Sequence, residues 1–281
     1  MTRVRLVTFN VFSGRSLADG DTDPARLVAA VTSLRADVLA VQEVDRFQPR
    51  SGLVDQAALV AQAAGAVDGR FVPLVSGTPG EPGWSPAPPV LVPLDTSDGA
   101  APAPQYGIGL VSRLPVLAWH VLPLKPPRGR YPIPVPSRPP KLIWIPDEPR
   151  AAVAAVLAGP DGSALLTVAC THLSFVAGAN VLQLRRVRAW LSALPGPRVL
   201  LGDLNLPGGL PARVTGWTPM FSGATYPAPN PKMQIDHALA DGLPDGAQWR
   251  AEVLELTMSD HRAAAVDLDV SWVPESTPGV S

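Results

Sequence analysis

This chain is short of several features that would sort it into a functional class. Cysteine is nearly absent: Cys170 is the single one among 281 residues, so no intramolecular disulfide can form. It ends the apolar run Leu165-Leu166-Thr167-Val168-Ala169, which predicts a small buried hydrophobe rather than a catalytic thiol. No apolar run approaches the roughly 20 residues that span a bilayer as a helix. The start, from Met1 to Asn10, goes straight into strand-like alternation. It lacks the basic region, apolar core and small-residue cleavage site of an export signal. The expectation is a soluble, cytoplasmic protein with no transmembrane segment, although a mature exported chain reads the same way. Charge is sparse and balanced, with 23 Lys and Arg against 24 Asp and Glu and a net charge of -1. That balance excludes the global basic field of a tight nucleic-acid binder and leaves a nuclease only a local patch to work with. No internal repeat is present.

Apolar residues make up 46% of the chain, enough to bury a sizeable core and too many for a disordered polymer. The length suits one large domain or two small ones. Proline is abundant, with 34 residues, and its clustering marks long ordered loops.

Val4, Leu6 and Thr8 alternate with Arg3, Arg5 and Val7, predicting a strand that ends near Asn10. Asp23-Pro24 then opens a helix, as N-cap and first residue, with Leu27, Val28, Val31 and Leu34 as its apolar stripe. Val38 to Val41 reads as a short buried strand with Gln42 and Glu43 at its end, and Leu53 to Ala64 as a second helix. Prolines between residues 77 and 104, Pro102 among them, forbid regular helix or central strand there. Tyr106 to Val111 recovers a strand. A second irregular segment is expected from Pro123 to Pro149. Ala151–Leu157 and Ala164–Thr171 form a strand pair about the turn Gly159-Pro160-Asp161-Gly162. Val181 to Leu194 is a helix with Leu182, Leu184, Val187 and Leu191 inward and Arg185, Arg186 and Arg188 on a solvated face. Val199–Leu201, Ile235–Ala240, Val253–Leu256 and Ala263–Val270 complete the strands. This interleaving predicts a mixed α/β domain with two sheets rather than one doubly wound parallel sheet.

Polar groups follow the apolar strands at recurring places. Asn10, Glu43, His172, Asp203 with Asn205, Asp236, and Asp260 with His261 are the candidates. Gly202-Asp203-Leu204-Asn205, after Val199-Leu200-Leu201, delivers two polar side chains at the end of a buried strand. Taken singly, each has a plainer reading: Asn10 forms a turn, Glu43 pairs with Arg46, His172 is a hydrogen-bonded core histidine, and Asp260-His261 caps an element. Together they suit a metal-assisted phosphoester site. A hard oxygen ligand such as Glu43 suits magnesium, which polarises a phosphoryl oxygen and stabilises a leaving alkoxide. His261 or Asp203 would orient or deprotonate water, and Asp236 would hold the imidazole in its tautomer. His172 or Asn205 would stabilise charge on the phosphoryl oxygens.

In order, Thr8-Phe9-Asn10-Val11, Val41-Gln42-Glu43-Val44, Thr171-His172-Leu173, Gly202-Asp203-Leu204-Asn205, Ile235-Asp236-His237 and Ser259-Asp260-His261-Arg262 resemble the endonuclease/exonuclease/phosphatase superfamily, over about residues 3 to 270. The resemblance implies a single domain with the deoxyribonuclease I-like fold, a four-layer α/β sandwich of two central mixed β-sheets flanked by helices. It implies phosphoester hydrolysis with a divalent metal, magnesium or manganese in its place. It also implies roles. Glu43 would be the main metal ligand, with Asn10 and Asp260 completing or supporting the site. Asp203 would position or activate water, and Asn205 would contact the phosphate. His172 would stabilise developing charge, and His261, oriented by Asp236, would contact the phosphate or transfer a proton. Gly107-Ile108-Gly109-Leu110-Val111-Ser112-Arg113-Leu114-Pro115 is similar to the family's strand after the first helices, with Ile108 where many relatives carry Asn. Arg150 resembles an arginine that precedes a strand in many relatives; it either contacts substrate or pairs with Asp147 or Glu148.

The resemblance leaves the phosphoester open: nucleic acid, a small molecule or a lipid. Between Lys125 and Arg150 six basic residues (Lys125, Arg128, Arg130, Arg138, Lys141, Arg150) face two acidic ones (Asp147, Glu148), with Tyr131 and Trp144 interleaved. Such a stretch can grip a nucleic-acid backbone, steer a small phosphorylated substrate, touch an anionic membrane, or simply be a solvated loop. The protein is expected to be a monomeric enzyme. The alternative is a catalytically inactive relative that binds a phosphate ligand or nucleic acid.

Overall fold

The first strand, β1 (Arg3–Asn10), is apolar on both faces, and this decides the layering. Val4 and Leu6 point one way, Val7 and Phe9 the other, and all four are fully buried. A strand buried on both sides needs a sheet over one face and helices over the other. The structure, a computed structural model, describes residues 3–94, 103–135 and 141–271, and of 133–135 and 141 the backbone.

After β1 come α1 (Pro24–Leu34), β2 (Val38–Arg46), α2 (Gln56–Ala64) and β3 (Asp68–Ser76). The two-residue β4 (Ser85–Pro86) and β5 (Val92–Pro93) precede β6 (Gln105–Ser112), β7 (Val116–Leu124), β8 (Arg130–Val135) and β9 (Lys141–Pro146). Then follow β10 (Arg150–Ala158), β11 (Ala164–His172), α3 (Ala179–Leu191), β12 (Arg198–Asp203) and α4 (Leu210–Thr215). β13 (Thr218–Pro219), β14 (Asp236–Asp241), β15 (Trp249–Leu254) and β16 (Ala263–Asp269) complete the order. One sheet runs β15-β16-β1-β2-β6-β3-β4, with β5 also on β3; the second runs β13-β14-β12-β11-β10-β7. Both are mixed: β1 and β2 are parallel, as are β11 and β12, and the other pairs named in the two sheets are antiparallel.

The inner faces meet in one core containing Leu6, Val38, Ile108, Leu110, Val153, Val168, Leu201 and Val266. Cys170 sits in it as the expected buried hydrophobe, and burial pushes its thiol up to about 12. Outside the first sheet, Leu27, Val31 and Leu34 of α1 and Val60 of α2 pack on Val7, Phe9, Leu39 and Val41. Outside the second, Leu184, Val187 and Leu191 of α3 pack on Ala152, Ala154, Ala169 and Leu200. The result is the four-layer α/β sandwich.

Local signals explain most element ends. Asp23 caps α1, accepting from Ala25 N at 2.8 Å. The second helix starts at Gln56 rather than Leu53, because Asp55 is its cap, accepting from Ala58 N at 3.0 Å, while Leu53 has φ 60°. The third runs over 179–191, and Leu182 is 65% exposed rather than inward. At 100° per residue it lies about 200° from Leu184, on the opposite face of the helix. Arg185, Arg186 and Arg188 are on the solvated face, as expected.

Besides the two-residue β4, β5 and β13, the longer strands β3 and β7 escape the sequence pattern. β3 contains Pro73, at a register irregularity, and β7 is a half-buried edge strand. The expected irregular segment at 123–149 is corrected too: it holds the antiparallel ribbon β8–β9. Pro132 and Pro134 are two apart and so fall on one edge, and a two-stranded ribbon leaves one edge of each strand unbonded. Pro102 and Arg138 lie outside the described residues, and of Lys141 only the backbone is described. Among the described residues no helix is long and apolar enough to cross a membrane.

The helix register gives a test. Leu184→Ala should destabilise the protein by about 2–5 kcal/mol in urea unfolding, and Leu182→Ala by less than about 0.5 kcal/mol.

Candidate active site

Both sheets end at one mouth, and their last residues are polar. In the second sheet, His172 of β11 pairs in register with Asp203 of β12, which pairs with Asp236 of β14. Three strand ends thus stand in one row. In the first sheet, Asn10 continues the inward series Val4, Leu6, Thr8, so it faces the second sheet across the cleft.

Glu43 reaches the cleft by a backbone irregularity rather than by standing at a strand end. β2 runs on to Arg46, and its register against β6 shifts between Val41 and Val44. Leu39, Val41 and Val44 pack under the helices, so strict alternation would turn residue 43 toward them as well. The extra residue of the bulge, with Glu43 at φ 57°, re-aims its side chain into the cleft.

Gly202 is required by space. A Cβ there would lie 2.0 Å from the Thr171 carbonyl oxygen, at φ +150°. Any side chain would push apart β11 and β12, which carry His172 and Asp203.

The polar groups form one network. Asn10 Nδ2 donates to Glu43 Oε1 at 3.0 Å and to Asp203 Oδ2 at 3.1 Å, while its Oδ1 accepts from Phe12 N at 3.1 Å. Asp203 Oδ1 accepts from Asn205 N at 3.0 Å. His261 Nδ1 lies 2.9 Å from Asp236 Oδ2, and its Nε2 is 3.7 Å from Asp203 Oδ2 and 4.0 Å from Asp260 Oδ1. His172 Nε2 lies 3.6 Å from Asp203 Oδ2. Ser259 Oγ donates to Asn10 O at 2.6 Å and accepts from His261 N at 3.0 Å, tying the β16 approach to β1. The Tyr226 ring packs on His261 with centroids 4.9 Å apart.

Four carboxylates therefore share a buried region. Among the described residues no Lys or Arg forms an ion pair with Glu43, Asp203, Asp236 or Asp260. Burial raises the Glu43 carboxyl, and Asp260 and Asp203 add to this against the bond from Asn10. Burial likewise raises Asp203 to about 6, with Asp236 adding to it against His261. Burial opposes charge on His261, yet Asp236, Asp203 and Asp260 together hold its imidazolium, up to about 10. Burial, Arg150 and His261 keep His172 neutral, well below the ordinary value.

The donor set fits a divalent cation. Asp236 Oδ1 and Asp260 Oδ1 are buried without a hydrogen-bond partner, and Glu43 accepts from one neutral amide. Hard carboxylate oxygens with excess negative charge are what magnesium or manganese requires. Asp203, Asp236 and His261 also offer ligand atoms within 4.8 Å of one another. That trio is the poorer choice, because His261 is held protonated by Asp236, and a ligating imidazole must be neutral. Glu43 and Asp260, with a lone pair of Asn10 Oδ1 still free, are the better holders.

Arg150 and Asn205 flank this centre. Arg150 is buried, donates to Asp147 Oδ1 at 2.9 Å and has Nη1 3.0 Å from Glu148 Oε1, without the alignment of a hydrogen bond. It thus pairs with both acids while Nε keeps an unused donor. Burial pushes Glu148 up to about 7 against the pull of Arg150. Asn205 Nδ2 donates to Leu173 O at 3.0 Å, which leaves its second amide hydrogen. Glu43 has no bond to Arg46, which pairs with Asp55 instead. Ile108 is buried in the core and offers no polar group.

Glu43, Arg150, His172, Asp203, Asn205, Asp260 and His261 line one open cavity of about 610 Å³; Asn10 and Asp236 stand behind them. Its other walls are largely apolar, including Phe12, Tyr106, Ile145, Phe175 and Tyr226. Tyr226 and Tyr106 are not legible as site residues, since nothing in their local sequence separates them from ordinary loop or core positions; Glu148 is legible only as a pairing partner of Arg150. Ser259 stood within the Ser259-Asp260-His261 segment without a role.

The profile of the Endonuclease/Exonuclease/phosphatase family matches residues 7–261. No curated protein matches in sequence. Among solved structures, an endonuclease/exonuclease/phosphatase from Beutenbergia cavernae is similar over 96% of this chain and 72% of its own, with 20% identity and a TM-score of 0.62. A mannosyl-6-phosphatase of Bacteroides thetaiotaomicron is similar over 94% and 99%, with 15% identity and a TM-score of 0.63. Sphingomyelinase C from Streptomyces griseocarneus is similar over 95% and 99%, with 15% identity and a TM-score of 0.54. At these identities the likeness concerns the fold.

The crowded charge can be weighed directly. Glu43→Gln keeps an acceptor for Asn10 and removes a buried charge, so in EDTA it should raise stability by about 1 kcal/mol. Urea unfolding at pH 7 measures this; a loss of stability would refute the unneutralised cluster.

Proposed function

The chain belongs to the Endonuclease/Exonuclease/phosphatase family, and from that premise we propose that it is a magnesium-dependent hydrolase of a phosphodiester or phosphomonoester, acting by in-line attack of water. The observation that carries this reading is the gathering of four carboxylates and a paired imidazolium at or just behind one open cavity, with no Lys or Arg ion-paired to those carboxylates among the described residues. Glu43, with Asn10 and Asp260 beside it, is the place for the divalent cation, manganese serving in its stead. Such a cation, when bound, supplies Lewis-acid stabilisation of charge on phosphoryl and leaving oxygens.

The remaining roles follow from the side chains. Asp203, raised to about 6, is a stronger base than an ordinary aspartate, and it orients the attacking water and takes its proton. Asp236 holds His261 as an imidazolium whose Nε2–H donates to a phosphoryl oxygen. Neutral His172 donates beside it. Asn205 and Arg150 offer their unused N–H groups to the non-bridging oxygens. We take the chain as one monomeric, cytoplasmic domain.

Hydrolysis of bis-p-nitrophenyl phosphate tests this. Asp203→Asn should lower kcat by about 10²–10⁴-fold with little change in KM. EDTA should abolish turnover, and magnesium or manganese should restore it. An unchanged rate in Asp203→Asn would remove Asp203 from the chemistry. The solved neighbours include a phosphatase and a sphingomyelinase, so the substrate panel includes DNA, RNA, inositol phosphates and sphingomyelin. A nuclease should lose DNA affinity steeply with salt. Phosphate binding with no turnover on the whole panel would make the protein a non-catalytic binding module.

A further inference from the structure

The loop after β1 brings a cation to the far side of Glu43. Phe12, Ser13 and Gly14 have φ of 48°, 54° and 76°. The turn is pinned by Gly14 N donating to Val11 O at 2.8 Å and Ser259 N to Arg15 O at 2.8 Å. It delivers Arg15 into a recess of about 90 Å³ whose walls include Phe12, Ser13, Glu43, Arg50 and Tyr106. Phe12, Glu43 and Tyr106 line the main cavity as well, so the two spaces adjoin.

Most guanidinium groups around the site are already neutralised. Arg50 is bidentate to Asp45, at 2.8 and 2.7 Å. Arg46 pairs with Asp55, and Arg150 with Asp147 and Glu148. Arg15 differs. Among the described residues its side chain forms no hydrogen bond or ion pair, its Nε is buried without an acceptor, and its guanidinium lies 5.3 Å over the Phe12 ring. Asp260 feels its charge from beyond ion-pair reach. A buried N–H donor without an acceptor is costly unless a ligand supplies one.

We propose that Arg15 seats a second anionic group of the substrate, next to the scissile phosphoester. This rests on the hydrolase reading only in taking the main cavity as the place of that phosphoester. The recess is small, about 90 Å³ against about 610 Å³ for the main cavity it adjoins, a size suited to one phosphate or carboxylate group. Arg15 offers a planar fork of donors suited to such an oxyanion. Glu43 faces the same recess and opposes an anion, so occupancy is coupled to the divalent cation that matches its charge.

Titration calorimetry of the full chain with magnesium tests this through two matched pairs. They are thymidine 5′-monophosphate against thymidine 3′,5′-bisphosphate, and fructose 6-phosphate against fructose 1,6-bisphosphate. In at least one pair the bisphosphate should bind about ten-fold tighter, and the pair that responds tells a nucleotide from a sugar source. Arg15→Gln should remove that advantage while monophosphate affinity stays, and Arg15→Lys should keep part of it. Absence of preference in both pairs, or an equal loss for both members in Arg15→Gln, overturns the proposal. The readout needs no hydrolysis, so its failure and the failure of bis-p-nitrophenyl phosphate turnover are separate results.

Discussion

Like charges are crowded into one end of this molecule, and the rest of the structure holds them there. Burial raises the cost of ionising Glu43, Asp203 and Asp260; among the described residues the ion-pair partners of Asp203, Asp236 and Asp260 are imidazoles rather than lysine or arginine, and Glu43 has none. Such a cluster would spread apart on a soft scaffold. It stays because each acid lies on or beside a strand whose other residues are locked in apolar layers, between the sheets and under the helices. The apolar burial that stabilises the sandwich offsets the electrostatic cost at its mouth.

Backbone strain is concentrated at the same place. Glu43, Asn205 and Ser259 have φ of 57°, 49° and 71°, conformations that side-chain-bearing residues rarely adopt. Each changes the direction of a polar group: the bulge turns Glu43 inward, Asn205 places its N–H on Asp203, and Ser259 bridges Asn10 and His261. Gly202 is the complementary device, a missing side chain that lets β11 and β12 approach closely enough to align His172 with Asp203. Regular alternation builds the walls; departures from it build the site.

The proline-rich stretches serve the periphery. Between β3 and β6 the strands among the described residues are the two-residue β4 and β5 on the sheet edge. Between β7 and β10 the proline-rich stretch allows a ribbon whose end, Ile145 and Pro146, reaches the cavity wall beside Asp147 and Glu148. Such edges, with N–H groups removed by proline, resist pairing with another chain.

Much of this was legible one segment at a time. Alternating or continuous apolar runs marked β1, β6, β10, β11 and β12, Asp23-Pro24 marked α1, and polar residues after those runs pointed to Asn10, His172 and Asp203. What stayed illegible depends on distance in space. β3 and β7 carry proline or half-buried edges, so their pattern is weak without neighbours. Leu182 reads as inward from its apolar character, which alone does not say which face of a helix is covered. The residue types and their order along the chain, set by local chemistry, determined the two-sheet α/β class and the identity of the candidate groups. Tertiary structure alone decided that Glu43 turns into the cleft through a bulge and that Arg15, among the described residues, is left without an acidic partner. Those outcomes depend on contacts between segments up to 249 residues apart, as in Asn10 with Ser259, and no local pattern encodes the sub-ångström geometry on which charge and hydrogen bonding act.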